Sequence, residues 1–165
     1  MQDPAFLESI FQWLESSSLA IFIRQSHWLY PAVEIIHIAG FALLVGAAVL
    51  FDLRLLGLSR KLPVKDCIGH LIFWARISLI AVIPSGLLLF IVEATSLASN
   101  SAFQIKLILI AAAGLNAAIF HRFTLRSVDE WNTQAPAPPA ARIAGLLSIL
   151  FWFGVITCGR LIAYV

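Results

Sequence analysis

Four apolar stretches, each about as long as a lipid bilayer is thick, constrain the fold of this chain more than any other feature. They lie at about residues 32–51, 71–92, 104–121 and 143–165. A helix of roughly 20 apolar residues spans the hydrocarbon layer of a membrane. The stretches are continuous and rich in Leu, Ala and Ile, without the alternation that a membrane β-barrel requires. The sequence therefore predicts an all-α protein, a four-transmembrane-helix bundle that forms one membrane domain over residues 1–165.

The composition supports a membrane location and argues against a nucleic-acid partner. Hydrophobic residues make up 61% of the chain and charged residues 12%, whereas soluble domains carry about 25% charged residues. Such a chain cannot cover a water-facing surface, so the lipid bilayer is its expected surroundings. The net charge is only +2, and the basic residues form no long run. No nucleic-acid partner is therefore expected.

The distribution of basic residues predicts the orientation in the membrane. Eight of the eleven lysines and arginines flank the first and third connections between spans, and three lie toward the opposite side. Because the side richer in Lys and Arg remains in the cytoplasm, the connections near residues 60 and 130 are expected there. With four spans, both termini are then expected outside.

The segment ahead of the first span, residues 3–26, is predicted to be interfacial, and its first part, DPAFLESIFQWLE at residues 3–15, is predicted to form an N-terminal amphipathic interfacial helix. Asp3 is a candidate N-cap. Phe6, Ile10 and Leu14 fall on one stripe of such a helix. The pattern fits a helix that lies on the outer membrane interface, and it fits equally well a helix packed against the bundle.

Few polar side chains fall inside the spans, and such groups are costly in a membrane and often functional. Glu34 and His37 lie three residues apart in the first span, and Asn116 and His121 lie in the third. Asn116 is expected to form a hydrogen bond between helices. Lys106, near the start of the third span, is expected to extend toward the interface.

Two further features have structural interpretations. Asp52 and Arg54, within the sequence DLRLLG, are expected to form an ion pair at the interface. Pro84 is expected to kink the second span, because proline removes a backbone donor and clashes with the preceding turn. Ser85 and Gly86 would make a local break easier.

His121 is the first candidate ligand for a cofactor. Histidine is the commonest metal ligand, although a neutral histidine is also tolerated in a core. Positions three, four and seven residues before His121 share its helix face, and they hold Ala118, Ala117 and Gly114. These small residues would leave room for a flat porphyrin. The pattern predicts that His121 binds the iron of haem b.

His37 is the second candidate ligand, and Gly40 follows it on the same helix face. Counted from the start of each span, the two histidines differ in depth by roughly 16 Å. One shared haem therefore requires helix tilt, and the alternative is two haems with His70 and His27 as further ligands. For these two histidines an ordinary interfacial position is also open. Candidate partners for the haem propionates are Arg76, Arg160, Arg24 and Arg122.

Three sequence elements carry a family resemblance. They are E-x-x-H-x-x-G at residues 34–40, D-L-R-L-L-G at 52–57 and N-x-x-x-F-H at 116–121. Over nearly its whole length the chain resembles a family of small, uncharacterised bacterial four-helix integral membrane proteins. The resemblance implies the four-helix fold, singles out the two histidines and favours a bacterial inner (cytoplasmic) membrane. A looser similarity, of architecture alone, is to the four-helix b-type cytochromes.

These observations lead to three hypotheses about function. The first is a b-type haem protein that transfers electrons within or across the membrane, with one or two haem b groups and with quinone or another redox partner. The second is a cofactor-free membrane scaffold or accessory subunit, in which the polar groups fix helix packing. The third is a small-solute transporter with a gate at Pro84, which is weakened by the lack of paired broken helices. A homo-oligomer is compatible with all three.

Overall fold

The computed structural model describes residues 4–59, 61–133 and 135–165, and every regular element among them is helical. In chain order these are α1 (Pro4–Glu15), α2 (Ser18–Gln25), α3 (Leu29–Leu55), α4 (Val64–Val92), α5 (Ala94–Ser99), α6 (Ser101–Arg122), a 3-10 turn (Thr124–Ser127), α7 (Val128–Trp131) and α8 (Pro139–Leu161). Asp3, the candidate N-cap, lies outside the described residues.

Four of these elements are long and apolar enough to cross a membrane. They are α3, α4, α6 with the turns that continue it to Trp131, and α8, so the predicted all-α fold with four spans is confirmed. The helices begin earlier than the apolar stretches do. In α4, for example, Lys65 and Asp66 are already helical, because a helix can continue into water beyond the hydrocarbon layer that sets the apolar length.

The helices pack in the order α4, α3, α8, α6. Helix α3 packs along α4 and along α8, and α6 packs along α8. Among the described helices, α4 and α6 do not pack along their length, but they meet at one end, where the rings of Phe90 and Phe103 stack with centroids 5.6 Å apart. We call this end, which also holds α1, α2 and α5, the terminal end. The opposite end, which holds residues 56–59, 61–63, 123–133 and 135–138, is the loop end.

The N-terminal segment forms the expected helix, α1, and a second short helix, α2, that the sequence did not predict. Its chain turns at Ser16 and Ser17, and the Ser17 hydroxyl then caps α2 by accepting a hydrogen bond from the Ala20 N–H at 3.3 Å. A serine in extended conformation is a favoured N-cap, so the second helix starts anew at this position.

Helix α1 is docked on the terminal end of the bundle. The Glu15 carboxylate accepts a hydrogen bond from the Thr95 N–H at 2.7 Å, at the start of α5. The Phe11 ring contacts the Phe90 ring edge-on at 6.1 Å. On other sides of α1, Phe6 and Trp13 remain exposed. The helix therefore packs against the bundle through one face and leaves apolar side chains for lipid.

A core of buried apolar side chains lies at the loop end. There α3, α4, α6, α7 and α8 contribute to one cluster of buried apolar side chains: Leu55, Val64, Phe120, Val128, Trp131, Ala137 and Ala141. Arg54, only 4% exposed, lies next to this cluster. Its Nε donates to the Leu62 carbonyl at 2.8 Å and its Nη2 to the Asn132 carbonyl at 3.3 Å. One guanidinium thus joins both loops to the end of α3.

Asn132 completes this connection between the loops. Its carbonyl also accepts from the Val64 N–H at 3.0 Å, and its side-chain oxygen accepts from the Lys65 N–H at 2.9 Å. Both donors belong to the first turn of α4, whose backbone N–H groups have no partner within the helix. The Lys65 ammonium also pairs with Asp129. The loop end is therefore fixed by hydrogen bonds between residues far apart in sequence.

The predicted ion pair between Asp52 and Arg54 is wrong. Residues two positions apart on a helix do not face each other, and Asp52 lies instead where α3 meets α8. Asp52 is 5% exposed, and within the described part of the chain its Oδ2 has no hydrogen-bond partner. The carbonyl of Asp52 would lie 3.2 Å from a Cβ at Gly145, so α3 and α8 approach closely at this level.

The backbone geometry at the end of α3 explains why the sequence element DLRLLG ends in a glycine. Gly57 has φ 108, a left-handed conformation that side chains rarely adopt. The Gly57 N–H bonds the Arg54 carbonyl at 3.1 Å, and the Leu58 N–H bonds the Leu53 carbonyl at 2.9 Å. These two bonds are the Schellman pattern, which satisfies the last carbonyls of a helix.

Candidate functional site

His37 is fixed against α4 by two hydrogen-bonding contacts. Its Nδ1 lies 3.1 Å from the Val82 carbonyl and 3.0 Å from the Ser85 Oγ. The Ser85 hydroxyl itself donates to the Ala81 carbonyl at 2.6 Å, so its proton is engaged and its oxygen is left to accept. Ser85 is buried. The imidazole is therefore held by a backbone carbonyl and a buried hydroxyl.

This arrangement defines the tautomer of His37. A carbonyl oxygen only accepts hydrogen bonds, so Nδ1 must carry the proton that it shares with Val82 and Ser85. In a neutral imidazole Nε2 is then unprotonated and presents a lone pair. No hydrogen bond reaches Nε2 from the residues that the structure describes. His37 thus offers one ring nitrogen as a potential ligand.

Gly86 makes room for this ring. A Cβ placed on Gly86 would lie 2.9 Å from the His37 Cε1, which is closer than real Cβ contacts. The position follows Pro84 and Ser85 in α4, where a break was expected. Helix α4 runs through Pro84 without interruption, so the expected local break is not present. The kink at Pro84 stays a prediction. This stretch of α4 instead forms the surface against which His37 packs.

The other ring beside His37 is aromatic. The Phe41 ring lies nearly parallel to the imidazole, with centroids 6.5 Å apart. Phe41 in turn contacts Trp152 of α8 edge-on at 6.0 Å. Side chains of α3 and α4 therefore contact this imidazole, and α8 is linked to it through Phe41.

Replacing Gly86 by alanine tests whether His37 packs as closely against α4 as the structure shows. The new methyl group would displace His37, and we expect the free energy of unfolding to fall by about 1–3 kcal/mol, the usual cost of overpacking. Thermal unfolding in detergent measures this change. Gly46→Ala is the matched control, because nothing lies within 4 Å of a Cβ there. Equal stability of the two variants would show that His37 is not confined by Gly86.

The small residues that were expected to form a porphyrin face have different surroundings. A Cβ on Gly40 would lie 2.9 Å from the Val82 Cγ2, so Gly40 serves the close packing of α3 on α4 and leaves no space for a flat ligand. Gly114, Ala117 and Ala118 are exposed, and no atom lies within 4 Å of a Cβ on Gly114. Their face is open and turned away from α8.

The opposite face of α6 holds the contacts with α8. Asn116 donates from its side chain to the Ala144 carbonyl at 2.9 Å, which confirms its expected role as a link between helices. Ala113 and Phe120 are buried beside it. His121, one position further along, is exposed, and its ring packs edge-on against Phe120 at 5.6 Å.

His37 and His121 lie at different levels of the bundle. The rings of Phe90 in α4 and Phe103 in α6 stack at the terminal end. Ser85, which contacts His37, lies five residues from Phe90, whereas His121 lies eighteen residues from Phe103. The two histidines therefore differ in level by about 20 Å along the helix axes. Because metal–imidazole bonds are about 2 Å long, this arrangement does not allow both histidines to bind one iron.

The remaining candidates lie apart from His37. His70 is exposed at the loop end and lines a groove between α3 and α4 with Cys67 and Asp66. His27 is exposed in the turn between α2 and α3. Glu34, one turn from His37, is also exposed, and it lies with Glu93 near Tyr30 at the terminal end.

Of the arginines proposed as propionate partners, two are engaged at the terminal end. Arg24 donates to the Val92 carbonyl. Arg160 donates to the Tyr164 hydroxyl at 2.6 Å and lies over its ring at 4.9 Å. Arg76 and Arg122 are exposed toward the loop end, away from the level of His37. None of these four arginines faces His37 in the part of the chain that the structure describes.

Sequence reasoning did not identify two residues of this site. Ser85 and Gly86 were interpreted as a weak point of α4 and not as partners of His37. Lys106, in contrast, extends toward the terminal end as expected, because its ammonium lies 3.6 Å from the position of a Cβ on Gly159, near the end of α8. The available signal was the presence of a serine and a glycine beside Pro84 in an otherwise apolar span.

The fold and this site define a class, a helical membrane protein with four helices of spanning length and an oriented imidazole among them. Residues 10–165 match the model of DUF6644, a family of unknown function, and the chain belongs to that family. No curated protein and no solved structure matches the chain. Among the described residues, no group of three or more His, Cys, Asp and Glu side chains could hold a metal ion.

Proposed function

We propose that this protein binds haem b through His37 and transfers electrons in the membrane, with quinone as its exchange partner. The observation that supports the proposal is the orientation of His37. Metal-binding histidines usually donate their second ring N–H to a carbonyl or a similar acceptor, which fixes the tautomer and the ring plane. The contacts of Nδ1 with Val82 and Ser85 are of this kind.

Two features near His37 support the proposal. A single histidine is a common axial ligand of haem iron, so a cluster of three or more ligands is not required. Phe41 and Trp152 offer aromatic surface. When bound, haem would supply a one-electron redox couple. The chain would orient the ligand nitrogen through Ser85 and surround the group with apolar side chains.

The proposal assigns one haem to each chain. Among the contacts of the described residues, only His37 has its second ring nitrogen held by two acceptors, whereas His121, His70 and His27 are exposed. A second haem at His121 would lie on the open face of Gly114 and Ala117. This second site stays a prediction, as does a homo-oligomer.

Mixing the purified protein with a short-chain quinol tests the electron-transfer part of the proposal. Quinol should reduce the haem, and the reduced α-band should grow on mixing in a stopped-flow spectrometer. Dithionite serves as the control, because it reduces any accessible haem. A haem that dithionite reduces and quinol does not would contradict quinone as the partner while leaving haem binding intact.

We also propose that the loop end is cytoplasmic and that both termini are outside. The excess of Lys and Arg near the loop end supports this orientation. Single cysteines placed at Ser59 and at Thr133, in a variant without native cysteines, should react only with reagents that reach the cytoplasm. A cysteine at Ser18 should react from outside. Labelling of Ser18→Cys from the cytoplasmic side would show that the orientation is the opposite of the one proposed.

A scaffold without a cofactor is the second candidate. It is favoured by the fact that the contacts of His37 and Asn116 both join helices, which is what structural polar groups do in membranes. In that case the protein would be colourless, and His37→Ala would affect stability alone.

A further inference from the structure

Asp52 is an acidic side chain that the fold buries without a partner for its outer oxygen. It lies in the last turn of α3, next to Phe51, which packs against the core at the loop end. Only 5% of the residue is exposed, water has almost no access to its Oδ2, and no hydrogen bond reaches that atom within the described part of the chain. The proposed function makes no use of this carboxyl.

The close contact between α3 and α8 encloses this carboxyl. A Cβ on Gly145 of α8 would lie 3.2 Å from the Asp52 carbonyl oxygen and 3.4 Å from the Leu55 Cβ. Gly145 and Leu55 are both buried. Small residues allow helix backbones in membranes to approach each other in this way. The absence of a side chain at Gly145 therefore keeps the two helices together at the level of Asp52.

The charged groups on the helices around Asp52 are directed elsewhere. Arg54 of α3 donates hydrogen bonds to carbonyls in both loops. Arg142 of α8 is exposed and lines a shallow depression of the surface. Asp66 and His70 of α4 line the groove between α3 and α4. In the ranges that the structure describes, none of these groups forms an ion pair or a hydrogen bond with the Asp52 carboxyl.

We propose that Asp52 is a proton-binding site, whose carboxyl carries a proton while α3 and α8 are in contact. A negative charge that is buried without a cation, and out of reach of water, is so costly that the group takes up a proton and becomes neutral. The proton is the ligand of this site. Its release requires α3 and α8 to separate far enough to admit water, so the site ties one proton to the packing of these two helices. The inference is independent of His37 and of haem.

Infrared spectroscopy of the full-length protein in lipid vesicles tests this assignment, because a protonated carboxyl has a C=O stretching band that a carboxylate lacks. A solvated aspartate has a pKa of about 3.9, so at about pH 7 it is ionised. Wild-type protein at that pH should show the band, and Asp52→Asn should lack it. Asp129→Asn is the matched control and should keep the band, because Asp129 is exposed and pairs with Lys65.

Isotope labelling identifies the band without a variant. Aspartate carrying ¹³C in its side-chain carboxyl should shift the band of wild-type protein to lower frequency. A wild-type spectrum in which labelled aspartate shifts no such band would overturn the proposal, and so would a band that Asp52→Asn keeps.

Gly145→Ala tests the part that the helix contact plays. The new methyl group would press on the Asp52 carbonyl and force α3 and α8 apart, which admits water to the carboxyl. Half of the band should then be lost at a pH about one unit lower than in wild type, a tenfold weaker affinity for the proton. Gly46→Ala, where nothing lies within 4 Å of the new Cβ, should titrate as wild type does. A Gly145→Ala band that titrates like that of Gly46→Ala would overturn the link between the proton and the α3–α8 contact.

Discussion

His37→Ala is expected to remove haem from the purified protein. The variant loses the ring nitrogen that would bind the iron and the two contacts that orient it. Loss of an outer-shell partner alone costs about 10–100-fold in metal affinity, so loss of the ligand itself should reduce haem content by more than about tenfold. The absorbance ratio of the Soret band to the protein band measures this content.

Two controls separate ligand loss from misfolding. Imidazole added to His37→Ala can occupy the space left by the side chain and should restore part of the haem. His121→Ala removes an exposed histidine and should leave the haem content unchanged. The opposite pattern, with haem kept by His37→Ala and lost from His121→Ala, would move the site to the open face of α6.

Arg54→Ala is expected to cause the largest loss of stability. The guanidinium is buried and donates to carbonyls on both loops, and its removal leaves those carbonyls without these donors. Each hydrogen bond to a charged group contributes about 1.5–3 kcal/mol, so we expect the free energy of unfolding to fall by about 3 kcal/mol or more. Thermal unfolding monitored by size-exclusion chromatography in detergent measures the change.

Arg126→Ala is the matched control for this variant. Arg126 lies in the 3-10 turn of the same end and is exposed, so its loss should change stability little. Arg54→Lys should resemble Arg54→Ala, because a lysine cannot place donors at both Leu62 and Asn132. An Arg54→Ala protein as stable as Arg126→Ala would show that the loops are held by other contacts.

The helical class and the four spans could be predicted from the sequence, because both follow from local composition. Apolar length alone predicts a spanning helix, and a lone asparagine in a span predicts a contact between helices. Asn116 fulfilled that expectation with its hydrogen bond to Ala144. The start of α4 at Val64 was missed because hydropathy marks the hydrocarbon layer and not the end of a helix.

The contacts that define the site and the loop end depend on residues far apart in the chain. His37 meets Ser85 across 48 positions, and Arg54 meets Asn132 across 78. No local pattern specifies such pairs. The small residues before His121 suggested a ligand face, but small side chains show only that space exists and not what fills it.

The reduced-minus-oxidised absorption spectrum of wild-type protein, produced with ample haem supply, tests the central claim most directly. The claim that His37 binds haem b predicts a red protein with a Soret band and a reduced α-band, at about one haem per chain. A colourless protein of normal yield, with neither band after dithionite, would contradict it and favour the scaffold.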